Sequence, residues 1–258
     1  MSADERELSP SERREALKQV FVQARGCTRC PELAATRKTV VFGAGNADAE
    51  LMFVGEAPGA SEDEQGVPFV GRAGKLLEQL LNEIGQERTD VFIANVLKCR
   101  PPGNRDPLPI EIENCQEYLL RQVELIQPTV ICTLGNFSTK LLRGDPTGIT
   151  RLHGQPEVLV LGARAVRLYP IFHPAAALYT PRMLETLRED FMRLPELLAL
   201  GAPEQPPVQT VPDLADAPAL ADEPAAADAS APAEASVTGV QSSGAAQQEP
   251  ELDQLGLF

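Results

Sequence analysis

Four of the five cysteines in this 258-residue chain are spaced like ligands. Cys27-Thr-Arg-Cys30 is a C-x2-C pair, Cys99 precedes the rigid run Arg100-Pro-Pro-Gly-Asn-Arg105, and Cys115 lies sixteen residues beyond Cys99. One close pair plus two further thiols is enough for tetrahedral zinc or a cubane iron–sulfur cluster. Spacing alone leaves both open, together with plain core thiols. Cys132, inside Val130-Ile-Cys-Thr-Leu134, reads as a small buried hydrophobe.

A second group of chemistry-bearing residues surrounds Gly55–Gly74. Five glycines and two prolines there indicate a fixed loop whose backbone approaches something closely. No G-K-[ST] ends it and no G-x-G-x-x-G fits it, so nucleotide hydrolysis loses ground. Glu56 and Glu62 can orient a water or stabilise developing positive charge, or form a solvated acidic turn. Phe69, between Pro68 and Val70, reads by itself as core. Of the two histidines, His173 precedes Pro174 at the end of an apolar run, a position that is more often structural than catalytic, and His153 reads as a loop residue near the surface.

The elements that must position these residues alternate strand and helix. A helix capped by Ser11 carries Leu17, Val20, Phe21 and Ala24. Strands are expected at Leu51–Val54, Val91–Leu97 and Thr129–Leu134, and a hairpin from Val158 leads into a last core strand ending near Phe172. Helices are expected from Gly71 to Gly85, from Ile110 to Ile126, after Gly135, and from Pro181 towards Gly201. This order predicts a three-layer α/β/α sandwich around a mainly parallel four-stranded sheet, with ligands at the carboxyl ends of strands. Gly55, Asn95 and His173 all leave such ends.

Hydrophobic residues make up 43% and charged residues 23%, which suits a soluble globular domain. No apolar run approaches a membrane span. The charged start Met1–Glu7 lacks a signal-like apolar core, so a cytoplasmic protein is expected. The net charge of −14 is uneven. Residues 201–258 hold ten acidic and no basic residues, which leaves 23 Lys+Arg against 27 Asp+Glu in residues 1–200. The acidic total therefore does not argue against a nucleic-acid ligand. With eight prolines, fourteen alanines and one aromatic, the tail is expected to be disordered. The expected organisation is a folded domain over 1–200, a linker over 201–251 and a terminal peptide at 252–258.

Three blocks resemble the family-4, iron–sulfur uracil-DNA glycosylases: GEAPGASEDEQGVPFVGRAGKLL (55–77), NVLKCRPPGNRDP (95–107) and HPAAAL (173–178). The likeness covers roughly residues 15–200. It implies a [4Fe–4S] cluster on Cys27, Cys30, Cys99 and Cys115, and uracil-containing DNA as substrate, with the protein a monomer that joins the nucleoid when on DNA. It implies a uracil pocket of Gly55, Glu56, Ala57, Phe69, Asn95 and His173, in which Phe69 stacks on the flipped base and Asn95 pairs with its O4 and N3–H edge. His173 would hydrogen-bond O2 as charge develops, and Glu56, or secondly Glu62, would hold the attacking water. Ala57 stands where family-1 relatives have aspartate. Pro174, Ala175, Ala176 and Leu178 resemble the loop that wedges into the vacated stack; many relatives carry an arginine just beyond it, where this chain has Tyr179 and then Arg182. A related branch that traps DNA covalently has Gln at the Ala57 position and an inserted KRRIH segment, both absent here. Turnover is therefore expected. A cluster-bearing protein that binds or cross-links uracil-DNA with little turnover is the alternative.

The terminal peptide Gln254-Leu255-Gly256-Leu257-Phe258 resembles the short motif by which bacterial repair proteins dock on the β sliding clamp. Leu255, Leu257 and Phe258 would fill an apolar pocket and Gln254 would anchor it.

Overall fold

The computed structural model describes residues 8–207; the terminal peptide and nearly all of the acidic tail lie outside the described residues. Helix α1 (Pro10–Arg25) is capped by Ser9, with Glu12 reaching back to complete a capping box. The sequence expectation of Ser11 was two residues late, because Pro10 at the first helical position and Glu12 at the third together favour Ser9. Next come α2 (Pro31–Thr36), β1 (Ala44–Gly45), β2 (Leu51–Gly55), α3 (Ala60–Gln65), α4 (Arg72–Glu83) and β3 (Phe92–Asn95). They are followed by α5 (Pro109–Ile126), β4 (Val130–Leu134), α6 (Asn136–Arg143) and α7 (Ile149–Leu152). The hairpin β5 (Glu157–Leu161) and β6 (Arg164–Ile171) leads into α8 (Pro174–Ala177), α9 (Pro181–Met192) and α10 (Leu194–Ala199).

The α/β class stands, and the strand count is corrected. The sheet has six strands in the order β1-β3-β2-β4-β6-β5. Its centre, β3-β2-β4-β6, is the expected parallel set of four. The antiparallel edges β1 and β5 complete it. β1 has only two residues in the glycine-rich Gly43-Ala-Gly45, too short to show an alternating pattern.

Alternation along the strands divides the core into two layers. Met52, Val54, Phe92, Ala94, Ile131 and Leu168 face the side packed by Leu17, Val20 and Phe21 of α1 and Leu119 and Val123 of α5. Leu51, Phe53, Ile93, Cys132, Tyr169 and Ile171 face Leu77, Leu80 and Leu81 of α4 and Leu187 and Phe191 of α9. Strands β2, β3 and β4 are buried on both faces, which explains their continuous apolar character, whereas the edge strand β5 leaves Val158 and Val160 exposed. Cys132 is fully buried as expected. Past α10 the chain returns along β6, where the Gln205 amide bonds both N–H and C=O of Ala165. Among the described residues no helix is long and apolar enough to cross a membrane.

Candidate active site

β2 and β3 end side by side, with Gly55 opposite Asn95 in the parallel register. Two residues past the end of β6, His173 caps α8. Between these ends lies a cavity of about 460 Å³ lined by Glu56, Ala57, Glu62, Phe69, Asn95, His173 and Ala175, among others. The parallel sheet thus brings together side chains separated by more than a hundred positions, at the edge the strand order predicts.

Asn95 is 2% exposed, and its Oδ1 is a buried oxygen with no hydrogen-bond partner. Such an atom is costly unless something arrives to satisfy it. Gly55 leaves room for it: a Cβ there would stand 2.4 Å from Asn95 Oδ1 and 2.8 Å from the Phe69 ring. The Phe69 ring stacks on His173 at 5.6 Å between centroids. His173 Nδ1 accepts the Ala175 N–H at 3.1 Å, so the neutral ring carries its proton on Nε2. Burial pushes the imidazole down to about 4, against a smaller upward pull from Glu62.

The two candidate carboxylates have different surroundings. Glu62 Oε1 accepts the backbone N–H groups of Val70 and Gly71 at 3.0 and 3.1 Å, so it fixes the turn after Phe69. The Glu56 carboxylate has no hydrogen bond or ion pair with any described residue, while its backbone carbonyl accepts the Leu97 N–H at 3.0 Å. Partial burial, helped by the nearby Asp106 charge, raises its carboxyl above the ordinary range. Both line the cavity, Glu62 with one carboxylate oxygen already engaged.

Cys27, Cys30, Cys99 and Cys115 converge from the α1–α2 loop, the segment after β3 and helix α5 onto one small cavity. Donors surround the sulfurs: Arg37 bonds Cys99 Sγ at 3.3 Å, the Lys98 N–H bonds Cys115 Sγ at 3.3 Å, and Asn114 Nδ2 lies 3.7 Å from Cys30 Sγ. Burial pushes Cys99 up to about 11 and raises Cys115 and Cys30. At Cys27 burial is outweighed by hydrogen bonds from Tyr118 and Arg29, and the thiol is lowered. Among the described residues no three His, Cys, Asp or Glu side chains are gathered as for a single metal ion. An all-thiol set with N–H···S donors has the chemistry of a thiolate-bound metal centre, zinc or iron–sulfur.

Comparison with known proteins decides the family. The sequence model of the uracil DNA glycosylase superfamily matches residues 42–194. The type-4 uracil-DNA glycosylase of Archaeoglobus fulgidus is 44% identical over 193 residues, covering 73% of this chain and 96% of the relative. Those of Sulfurisphaera tokodaii and Saccharolobus solfataricus are 46% and 47% identical, covering 71% and 69% of this chain and 85% and 84% of theirs. The chain belongs to the type-4 uracil-DNA glycosylases.

In this type-4 chain the expected wedge segment is α8 and its exit. Pro174 is buried, Ala175 and Ala176 are exposed, and Leu178 packs partly on the α4–α9 layer. Tyr179 is 71% exposed, and the Arg72 guanidinium lies 5.2 Å from its ring centroid. His153, partly exposed in the turn that ends α7, pairs its Nδ1 with Asp190 at 3.1 Å and lays its ring against Phe172.

Two residues with no sequence signal bond backbone carbonyls of the segments that carry Asn95 and Phe69. Lys98 is 1% exposed and donates to the Asn95 carbonyl at 2.8 Å and to Gln122 at 2.6 Å. Burial pushes its ammonium down to about 8, against upward pulls from Cys115 and Cys99. Arg88, from the turn before β3, bonds the carbonyls of Pro68 and Phe69. Nothing beyond the lysine's place before Cys99 could have pointed to the first, and an Glu-Arg-Thr-Asp turn hides the second.

Proposed function

We propose that the protein flips deoxyuridine out of DNA and hydrolyses its N-glycosidic bond, releasing uracil and leaving an abasic site. The unpartnered, buried Asn95 Oδ1 carries this reading. It accepts the uracil N3–H while the amide N–H₂ donates to O4. Cytosine has a bare N3 and an amino group at these places, so both contacts fail, each at about 1–3 kcal/mol. Flipping costs unstacking, and the Phe69 face returns about 1–3 kcal/mol by stacking. As the bond breaks, negative charge grows on the base and His173 Nε2–H donates to O2. Glu56 aims a water at the sugar carbon, and Glu62 holds the loop that carries Phe69. Beside the α8 wedge segment, Arg72 offers a cation for a backbone phosphate.

Cys27, Cys30, Cys99 and Cys115 would hold a [4Fe–4S] cluster. When bound, it supplies four iron–thiolate links that tie the α1–α2 loop to the segment after β3. The chain's own part is to supply the N–H donors that stabilise thiolates.

The test is a uracil-containing oligonucleotide followed by alkali. Free uracil and strand cleavage are expected; a species that stays shifted on a denaturing gel, or no product at all, would overturn turnover. The terminal peptide Gln254–Phe258 would dock on the β sliding clamp, and its covalent link to the domain would raise the local concentration of the enzyme there. Deleting it should abolish clamp binding and leave activity on short oligonucleotides unchanged. Equal clamp binding with and without the peptide would refute the docking.

A further inference from the structure

Phe69 is held in an unusual backbone conformation. Its φ of +53° lies in the left-handed region, which non-glycine residues seldom occupy without support. The support comes from both sides of the turn. Arg88 donates to the carbonyls of Pro68 and Phe69, the latter at 3.0 Å. Glu62 accepts the next two N–H groups, from Val70 and Gly71. Four consecutive residues thus have their backbone polar groups fixed by one guanidinium and one carboxylate. Helix α4 closes the third side, because a Cβ on Gly74 would overlap the Phe69 carbonyl at 1.7 Å.

We propose that Arg88 is a positioning residue for uracil capture, acting through the Phe69 platform. Its planar fork matches two successive carbonyls, which a lysine ammonium cannot do in the same geometry. Arg88 is half-buried, and burial opposes its charge while Glu78 and Glu62 favour it. It is therefore seated in the protein and not spread on the surface. Without the fork, the Phe69 turn relaxes towards ordinary φ, and the ring leaves its place over the cavity.

The inference rests on the reading of Phe69 as the stacking face, so the experiment separates the two. Single-turnover rates on a uracil oligonucleotide are measured for the wild type, Phe69→Ala, Arg88→Met and the double variant. The expected result is about a tenfold loss for Arg88→Met alone. In the Phe69→Ala background the same change should cost less than twofold, since coupled residues are not additive. Arg88→Lys should fall between wild type and Arg88→Met, and it replaces Arg88→Met in the cycle if that variant fails to fold. Phe69→Ala at wild-type rate would overturn the platform reading. A normal Phe69→Ala loss would overturn the Arg88 assignment if Arg88→Met were neutral or equally costly in both backgrounds. A purely structural role would lower the melting temperature without producing this non-additivity.

Discussion

Gly55→Ala isolates the pocket geometry with one methyl group. The φ of Gly55 lies outside the left-handed range, so alanine meets no backbone strain there. The new Cβ would stand 2.4 Å from Asn95 Oδ1 and 2.8–2.9 Å from two Phe69 ring carbons. Ordinary contact begins near 3.4 Å, so the amide oxygen must retreat by about 1 Å and the ring by about half of that. Overpacking of this kind costs about 1–3 kcal/mol, within a typical stability of about 5–15 kcal/mol. The protein should remain folded. Displacing a positioned group by 1 Å costs about 100-fold in rate, so kcat/KM on a uracil oligonucleotide should fall by about two orders of magnitude. Binding to uracil-free DNA should not change, because the methyl group touches only the pocket. The assay is alkali cleavage under single-turnover conditions beside a thermal melt. Wild-type kcat/KM in a folded Gly55→Ala protein would refute the placement of Asn95 and Phe69 as the base-reading pair.

Asn95→Asp presents only acceptors to the base, so uracil excision should drop at least tenfold while any excision of cytosine rises relative to it, as read on matched oligonucleotides. The acid limb of kcat should belong to Glu56: its raised pKa means that the carboxylate is lost as pH falls through a value above 4.5. His173, already neutral down to about pH 4, should produce no inflection near 6.5, and Glu56→Gln should remove the acid limb at a low residual rate. Cys99→Ala should lose the broad visible absorption of an iron–sulfur protein, whereas Cys132→Ala, buried away from the other thiols, should keep it; a colourless, zinc-only active protein would refute the cluster.

The parallel centre and the site edge were legible because buried parallel strands read as short apolar runs, and the loops leaving them carried the polar residues. Gly55, Asn95 and His173 could be placed at one edge from strand order alone. The six-residue α3 was hidden inside a glycine-rich stretch that reads as loop, and with it the task of Glu62, which depends on where α3 points its side chain. Arg88 was invisible for a different reason. Its contacts are to backbone carbonyls nineteen and twenty positions away, and no side-chain pattern encodes those. The Phe69 turn itself gave no warning, since a phenylalanine at positive φ is set by its neighbours and not by its own preference.

The thiol cage joins positions as far apart as Cys27 and Cys115, so its assembly is a chain-closure problem. Closure entropy grows only slowly with loop length, by about 0.6 kcal/mol per doubling, but a free chain must still meet that cost. Here the fold meets it beforehand. Leu17, Val20 and Phe21 of α1 and Leu119 and Val123 of α5 share one apolar layer, which holds the end of α1 that leads into Cys27 and Cys30 close to the helix that carries Cys115. A metal centre built on these thiols would therefore bridge parts of the chain that apolar packing already holds close.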